Sequence, residues 1–261
     1  MLYLVIPTRN EAPHIAETIR RLFKSLSDLT IPWQIVVSDN GSTDGTSDVV
    51  EQLRIQDDEL QRKVRLLNCP KQGKGIAIIY STNQLKIKNH ESLLERVMRD
   101  NDYFGFIDAD LSADPDTIPS MVERLLEDKA DIVIASRLLV TKTTNRGWFR
   151  TISSKFFNFI ADLFLRLNVA DAQCGLKIMN QRGVEIIQSC KEGGWFLDIE
   201  FLARARQDSL RIAEVPVPWL EFRYPNRKSQ IRYFHDGIEA IKAIWRIKGR
   251  VKVITHPKPR S

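Results

Sequence analysis

The stretch YFGFIDADLSADPDTIP, residues 103–119, joins a short apolar run to a cluster of four aspartates. The apolar run has the length and aromatic content of a buried strand, and the proline-containing end is typical of a helix start. Asp108 and Asp110 follow the predicted strand directly, where open α/β sheets bind ligands. Paired carboxylates at that place suit a hard divalent cation that also contacts phosphate. The stretch therefore predicts one strand–turn–helix unit of an α/β fold.

The other two aspartates are explained by helix initiation. Asp114 precedes Pro115, which predicts an N-cap followed by proline at the first helical position, and Asp116 falls in the first turn. A calcium-binding loop is the alternative interpretation of the alternating acids. It fails because its sixth position is Ala113 instead of glycine and its twelfth is Pro119 instead of glutamate.

Further apolar runs alternate with helical patterns on both sides of this stretch. The predicted strands are 2–6, 34–38, 64–68, 103–107 and 131–136, and the predicted helices are 12–28, 43–55, 74–86, 90–99 and 115–128. Continuous apolar strands that alternate with helices favour a mainly parallel sheet covered on both faces. The carboxyl ends of the strands are then the expected site.

Polar residues do follow the predicted strands. PTRNE (7–11) comes after the first, DNGSTDGT (39–46) after the second, and Arg137 after the fifth. Within DNGSTDGT, a turn at Asn40-Gly41 and a helix cap at Ser42 or Thr43 are the structural interpretation.

That interpretation leaves Asp39 unexplained. An acid directly at a strand end can accept a hydrogen bond from a base N–H or a ribose hydroxyl. KQGKGIA (71–77) could approach a phosphate at a helix start. The chain has no GxGxxG motif after the first strand and no GxxxxGK[ST], which disfavours a dehydrogenase and a P-loop NTPase.

The later part of the chain has a different pattern. It is predicted to form an unusually apolar helix at 152–168, a loop then strand at 171–180, a loop then helix at 193–207, a strand at 210–222 and a helix at 230–248. Pro216 and Pro218 confine the last strand to an edge or a bulge. The two helices, 152–168 and 230–248, either lie in a membrane headgroup region or pack on each other or on a second subunit. We predict one domain over 1–250, with a nucleotide half of about 1–110 and an acceptor half of about 111–250.

Composition narrows the class of protein. The 261 residues include three scattered cysteines and four distant histidines, which indicates reduced thiols and argues against a zinc site. No apolar run is long enough to span a bilayer, and the first residues do not have the pattern of a signal peptide, so a cytoplasmic chain is expected.

Residues 223–261 hold eleven Lys or Arg against two acids, a net charge of +9, and 251–261 are predicted to be a flexible basic tail. This charge suggests an anionic surface as partner, with a solubilising tail as the alternative.

Taken in order, PTRNE, VSDNGSTDGT, GKGIA, DADLSADP, ASR and DAQCGLK resemble the motifs of family 2 glycosyltransferases with the GT-A fold. The resemblance runs from about residue 2 to 250 and is nearest to the polyprenyl-phosphate hexose synthases that make dolichyl-phosphate mannose or glucose. DAQCGLKIM, WFLDIEFL and EVPVPW favour the glucosyl branch. It implies a Rossmann-like, mixed and mainly parallel sheet flanked by helices, with an amphipathic interface helix at the carboxyl end.

The resemblance also implies site residues. Those expected at the nucleotide are Pro7, Thr8, Arg9, Glu11, Val37, Asp39, Lys74, Asp108, Ala109 and Arg223. Those expected at the acceptor phosphate are Arg137, Arg150, Ser154 and Asp198. Mg²⁺ or Mn²⁺ would be held by Asp108, Asp110 and Ser112. The catalytic set is then Asp108, Asp110, Arg137, Arg150 and Ser154.

The implied reaction is inverting transfer of a hexose from UDP-glucose, or next from GDP-mannose, to a polyprenyl or dolichyl phosphate at the cytoplasmic membrane face. The expected attachment to the membrane is peripheral, with a membrane-embedded partner or a homodimer left open, and no nucleic acid is expected. Three alternatives remain: transfer to a soluble sugar or polysaccharide with Asp198 or Glu200 as base, a sugar nucleotidyltransferase, and a non-catalytic binding protein.

The sequence departs from the family pattern at four places. Asn40 stands where many relatives have a second aspartate, and Ser112 stands where mannose synthases often have glutamine, which puts a third protein ligand to the metal in doubt. About eight to ten extra residues lie within 83–100, and NRKSQ (226–230) replaces the usual loop sequence before the last helix.

Overall fold

The computed structural model describes residues 1–84, 101–139, 159–220 and 233–251, with side chains described from residue 239 onward in the last range. The described strands form one seven-stranded sheet in the order β3-β2-β1-β4-β6-β5-β7. They are β1 (Leu2–Thr8), β2 (Trp33–Asp39), β3 (Val64–Asn68), β4 (Tyr103–Phe106), β5 (Ile132–Ser136), β6 (Lys177–Met179) and β7 (Ile212–Pro216).

The sheet is mixed and mainly parallel, as predicted. β6 alone runs antiparallel, between β4 and β5, and the other neighbouring pairs are parallel. β7 lies at a sheet edge, which agrees with the constraint that Pro216 and Pro218 place on this segment. The strands β2, β1 and β4 are parallel neighbours, so their carboxyl ends lie side by side. This border of the sheet is called its carboxyl edge, and the aspartates that follow β4 lie there.

Helices cover both faces of the sheet. They are α1 (Ile15–Leu26), α2 (Thr46–Gln56), α3 (Asp58–Lys63), α4 (Lys74–Gln84), α5 (Ile118–Leu126), α6 (159–165 within the described residues), α7 (Gln181–Ser189), α8 (Leu197–Gln207) and α9 (Tyr233–Arg250). Alternate side chains of β1 enter two separate cores: Tyr3 and Val5 pack with α4 and α6–α9, whereas Leu4 and Ile6 pack with α1, α2, α3 and α5.

Three local predictions need correction. α2 begins after Gly45, which has φ +86° and no capping side chain, so neither Ser42 nor Thr43 caps it. The short helix α3 was not predicted, because its six residues include five polar ones and a single buried leucine and so carry no apolar period. The helix predicted at 115–128 begins as a 3₁₀ turn at Pro115–Thr117. The helix predicted at 90–99 lies outside the described residues.

The state of the cysteines agrees with the prediction of reduced thiols. Cys69, Cys174 and Cys190 are buried free thiols, and burial raises the pKa of Cys174 to about 12. Among the described residues, no helix combines the length and the apolarity that a membrane crossing requires.

Candidate functional site

The four aspartates after β4 divide into two pairs with different partners. Asp114 accepts a hydrogen bond from the backbone N–H of Asp116 at 3.2 Å, which confirms it as the N-cap. Asp116 contacts Arg21 of α1 at 2.6 Å and Ser25 at 2.7 Å, and the Arg21 hydrogen bond lowers the pKa of Asp116 to about 2. The second pair therefore starts the helix and ties it to α1, a connection that sequence reasoning missed.

Asp108 lies at the centre of the site. Its Oδ1 is 2.6 Å from Nζ of Lys74, the first residue of α4. Its carboxyl group also lies against the backbone of Gly175, where an added Cβ would lie 1.9 to 3.0 Å from the three carboxyl atoms. The glycine of the DAQCGLK motif thus has a steric reason: it makes room for the Asp108 carboxylate.

Asp110 belongs to the tight turn that follows. Its Oδ1 accepts the backbone N–H of Ser112 at 3.0 Å. Leu111 between them has φ +46°, a left-handed conformation that is uncommon for leucine and that tends to occur at functional sites. Ser112 is buried, and its carbonyl accepts the N–H of Leu220 at 2.9 Å. A role for the Ser112 hydroxyl at a metal stays a prediction.

Asp108, Lys74, Asp198 and Lys177 form a chain of side chains with alternating charge. Lys74 lies 3.8 Å from Asp198, and Asp198 lies 2.6 Å from Lys177. Although burial disfavours the charged form of Lys74, Asp108 and Asp198 hold the pKa of Lys74 above its ordinary value. Lys177 is fully buried over the ring of Phe106, and sequence reasoning missed it. Asp198 is therefore paired with two lysines.

Arg137 makes a buried ion pair that the sequence did not indicate. Its Nε and Nη2 donate to the two carboxylate oxygens of Asp171, each at 2.6 Å, and its backbone N–H donates to the same group at 3.0 Å. Despite burial, these bonds hold the pKa of Asp171 below its ordinary value. The guanidinium also lies 4.7 Å from the ring centroid of Trp219. Binding of the acceptor phosphate by Arg137 stays a prediction.

At the ends of β1 and β2, Thr8 pairs in register with Asp39. The Asp39 carboxylate accepts hydrogen bonds from the Ser42 backbone N–H at 3.1 Å, the Ser42 hydroxyl at 2.5 Å and the Ser47 hydroxyl. The expectation that local structure leaves Asp39 unexplained was therefore wrong, because the carboxylate organises the turn before α2. Its contact with a base or ribose stays a prediction.

The remaining residues predicted to bind the nucleotide differ in exposure. Pro7 is half-buried and Arg9 is exposed at this edge. Glu11 is buried, and its N–H donates to Thr46 at 2.9 Å. The side chain of Val37 is completely buried in the core on the α1 side, and Ala109 belongs to the same core.

Three predicted site residues, Arg150, Ser154 and Arg223, lie outside the described residues, as does the whole of 140–158. Of the residues predicted at the acceptor phosphate, Arg137 and Asp198 are therefore the two that the structure describes. Asp171 lies in the quoted DAQCGLK motif, but its partner is 34 positions away in sequence, and nothing in the spacing indicates the pair.

The described residues fit a metal ion that takes only some of its oxygen ligands from the protein and the others from substrate phosphates and water. They contain no group of three or more His, Cys, Asp or Glu side chains placed to hold a metal ion. Asp108 and Asp110 nevertheless offer carboxylate oxygens two residues apart on one turn. Mg²⁺ is commonly held in this way, by one or two carboxylates together with substrate phosphates and waters.

Comparison with known proteins gives the family. The model of "Glycosyl transferase family 2" matches residues 3–187, more than half of the chain. Glycosyltransferase AglD of Haloferax volcanii is 25% identical over 258 residues, which is 96% of this chain and 38% of that protein. Dolichyl-phosphate beta-glucosyltransferase ALG5C of Trichomonas vaginalis is 26% identical over 83% of this chain and 63% of its own length. The chain thus spans less than two thirds of either relative.

The fold is shared with glucosyl-3-phosphoglycerate synthase of Mycobacterium tuberculosis, solved with Mn²⁺, UDP and glucosyl-3-phosphoglycerate. The TM-score is 0.64 at 19% identity, over 95% of this chain and 80% of the synthase. The order of motifs, the mixed seven-stranded sheet and the family match agree with one another: the chain belongs to glycosyl transferase family 2.

Proposed function

We propose that the chain transfers a hexose, with inversion, from a nucleotide-sugar to a polyprenyl or dolichyl phosphate. The observation that carries the proposal is the cluster of Asp108, Asp110 and Lys74 at the carboxyl edge of the sheet. UDP-glucose is the favoured donor and GDP-mannose the next. The name of the Trichomonas relative, a dolichyl-phosphate beta-glucosyltransferase, supports the acceptor and the sugar. The Mn²⁺ and UDP in the Mycobacterium structure support the cofactor and the base.

The chemistry requires electrostatic stabilisation more than proton transfer. A phosphate monoester has a second pKa near 6, so the acceptor is already an anionic nucleophile at neutral pH. A divalent cation held by Asp108 and Asp110 would stabilise the negative charge of the leaving diphosphate. Lys74 places a second positive charge at Asp108, where the same diphosphate would lie.

The contacts of Asp198 favour a phosphate acceptor over a sugar hydroxyl. A hydroxyl acceptor needs a general base, and Asp198 and Glu200 are the candidates for that role. Asp198 is 4% exposed and paired with Lys177, and Glu200 is fully buried and bonded to Arg204 at 2.8 Å. Both carboxylates therefore have structural partners. We assign the acceptor phosphate to Arg137 together with Arg150 and Ser154.

A donor panel tests this proposal. UDP-glucose, GDP-mannose and UDP-N-acetylhexosamines are each supplied with a short polyprenyl phosphate and Mg²⁺ or Mn²⁺, and the glycolipid product is measured. We expect product from UDP-glucose and none after chelation of the metal. Transfer to free sugars without transfer to the lipid phosphate would contradict the assigned acceptor, and product from GDP-mannose alone would contradict the assigned donor.

We further propose that α6 and α9 form the surface that contacts the membrane. The two helices do pack on each other, with Phe164 and Trp245 rings 5.9 Å apart. They still leave large apolar side chains exposed: Phe159 at 62%, Leu163 at 61%, Ile241 at 56% and Trp245 at 60%. The Lys248 ammonium lies over the Trp245 ring at 5.6 Å. Exposed aromatic and aliphatic groups beside basic residues suit an anionic headgroup region.

Flotation with anionic vesicles checks this surface. The variant Ile241→Ser/Trp245→Ser should remain in solution at a lipid concentration that floats most of the wild type, because it loses the apolar area that inserts. Ile55→Ser, a substitution at a 75% exposed isoleucine on α2, is the matched control and should float like the wild type. Equal flotation of all three proteins would contradict the assigned surface.

A further inference from the structure

The loop 190–194 packs against the start of α4, the helix that carries Lys74. The Gly193 carbonyl accepts the N–H of Ile76 at 3.0 Å. An added Cβ at Gly73 or Gly75 would overlap the Gly193 or Glu192 backbone, and Gly73 also has φ +138°. The two glycines that flank Lys74 are therefore explained by this loop, a reason that the sequence interpretation of the GKG motif did not contain.

Two buried carboxylates fix the loop from either side. Glu200 of α8 accepts the N–H groups of Lys191 and Glu192 at 2.8 and 2.7 Å. The Glu192 side chain, 8% exposed, bonds to Arg246 and Arg250 of α9, each at 3.0 Å. The loop is thus held between α8 and α9, and the carboxylate of Glu192 is its connection to α9.

The Lys74 contact depends on where α4 begins. Lys74 is the first residue of α4, and its ammonium lies 2.6 Å from Asp108. Because the loop backbone lies against both glycines that flank Lys74, a displacement of the loop would displace Lys74 as well. Charge-assisted hydrogen bonds are short and sensitive to such displacement.

We propose that Glu192 is a positioning residue of the donor site. By holding the loop to α9, it sets the position of Lys74 beside Asp108, where the donor diphosphate would bind. This inference rests on the proposed function for the identity of that ligand. Groups that bond directly to a metal-binding side chain typically contribute about 10–100-fold to affinity or activity, and Glu192, which acts through Lys74, is expected at the lower end of that range.

The first experiment measures the Kd of UDP with Mn²⁺ by calorimetry, with Tm recorded for each protein. Glu192→Gln should weaken UDP–Mn²⁺ binding by about tenfold. Glu239→Gln is the matched control, because Glu239 contacts Lys242 at 2.8 Å and Arg246 at 3.9 Å on α9 itself. It removes the same charge near the same arginine, its contacts with Lys242 and Arg246 lie within α9, and its Kd should equal that of the wild type.

The second experiment separates positioning from general stability. Lys74→Met and Lys74→Met/Glu192→Gln are compared in a double-mutant cycle. If Glu192 acts through Lys74, the double variant binds UDP–Mn²⁺ as weakly as Lys74→Met alone, even though its Tm is lower. A full additional tenfold loss in the double variant would overturn the proposal, as would a Glu192→Gln protein with wild-type Kd.

If Glu192→Gln does not fold, Arg250→Gln takes its place in both experiments, because Arg250 of α9 is one partner of the Glu192 carboxylate. The same two outcomes then apply to Arg250→Gln. The proposed function fails in a different way. If the wild-type chain binds neither UDP nor GDP in the presence of Mn²⁺, the donor site itself is wrong, whereas wild-type binding that Glu192→Gln leaves unchanged removes only the role of Glu192.

Discussion

Gly175→Ala should leave the chain folded and reduce transfer by about 10²–10³-fold. The new methyl group would overlap the carboxyl group of Asp108, whose side chain supplies the three atoms nearest to it. We expect the Asp108 side chain to rotate and relieve the strain. The rotation moves its carboxylate away from the Lys74 ammonium, which lies 2.6 Å from it in the unchanged chain. We expect the free energy of unfolding to fall by about 1–3 kcal/mol, the usual cost of an extra methyl group in a packed site.

The comparison that tests this result uses a second glycine of the same region. Gly194 has open space where an added Cβ would lie, so Gly194→Ala should match the wild type in turnover. We would measure glycolipid product, Tm, and the Kd of UDP with Mn²⁺ for all three proteins. Full activity of Gly175→Ala would show that Asp108 does not need its present position, and the metal and diphosphate assignments would then fail together.

The strands were predictable because their side chains are apolar on both faces. Val36 and Val37 of β2 enter opposite cores, so the sequence shows a continuous apolar run there. α3 was not predictable by the same rule, because only Leu60 among its residues is buried. The antiparallel direction of β6 is likewise set by its neighbours β4 and β5, which are far away in sequence.

The candidate site was predictable to the extent that its residues follow strands. Asp108, Asp110 and Arg137 come directly after β4 or β5, and the rule for α/β sheets finds them. The partners of these three residues cannot be found by that rule. Lys74, Asp171 and Gly175 reach them only after the chain has folded, over 34 or more positions of sequence. Sequence reasoning therefore identified most charges of the site but not how those charges are compensated.

The second large expected effect concerns stability and depends on the buried positive charge of Arg137, which Asp171 neutralises. Asp171→Asn should lower the free energy of unfolding by about 3–5 kcal/mol, because it leaves a buried guanidinium without its countercharge. Arg137 is 9% exposed and Asp171 is fully buried, so water cannot replace the lost partner. Asp116→Asn, which breaks the exposed pair with Arg21, should cost about 1 kcal/mol or less. Urea unfolding at neutral pH measures both changes.

A double replacement separates the stability of this pair from its use in transfer. Arg137→Met/Asp171→Leu removes both charges at once, and such apolar replacements of a buried ion pair often restore stability or improve it. We expect the double variant to unfold near the wild-type urea midpoint and to lose most transfer to polyprenyl phosphate, because the Arg137 guanidinium assigned to the acceptor phosphate is gone and Arg150 alone remains. Recovery of both stability and transfer would mean that the Arg137–Asp171 pair supports the fold alone, and the acceptor phosphate would then have to be bound by other cationic groups.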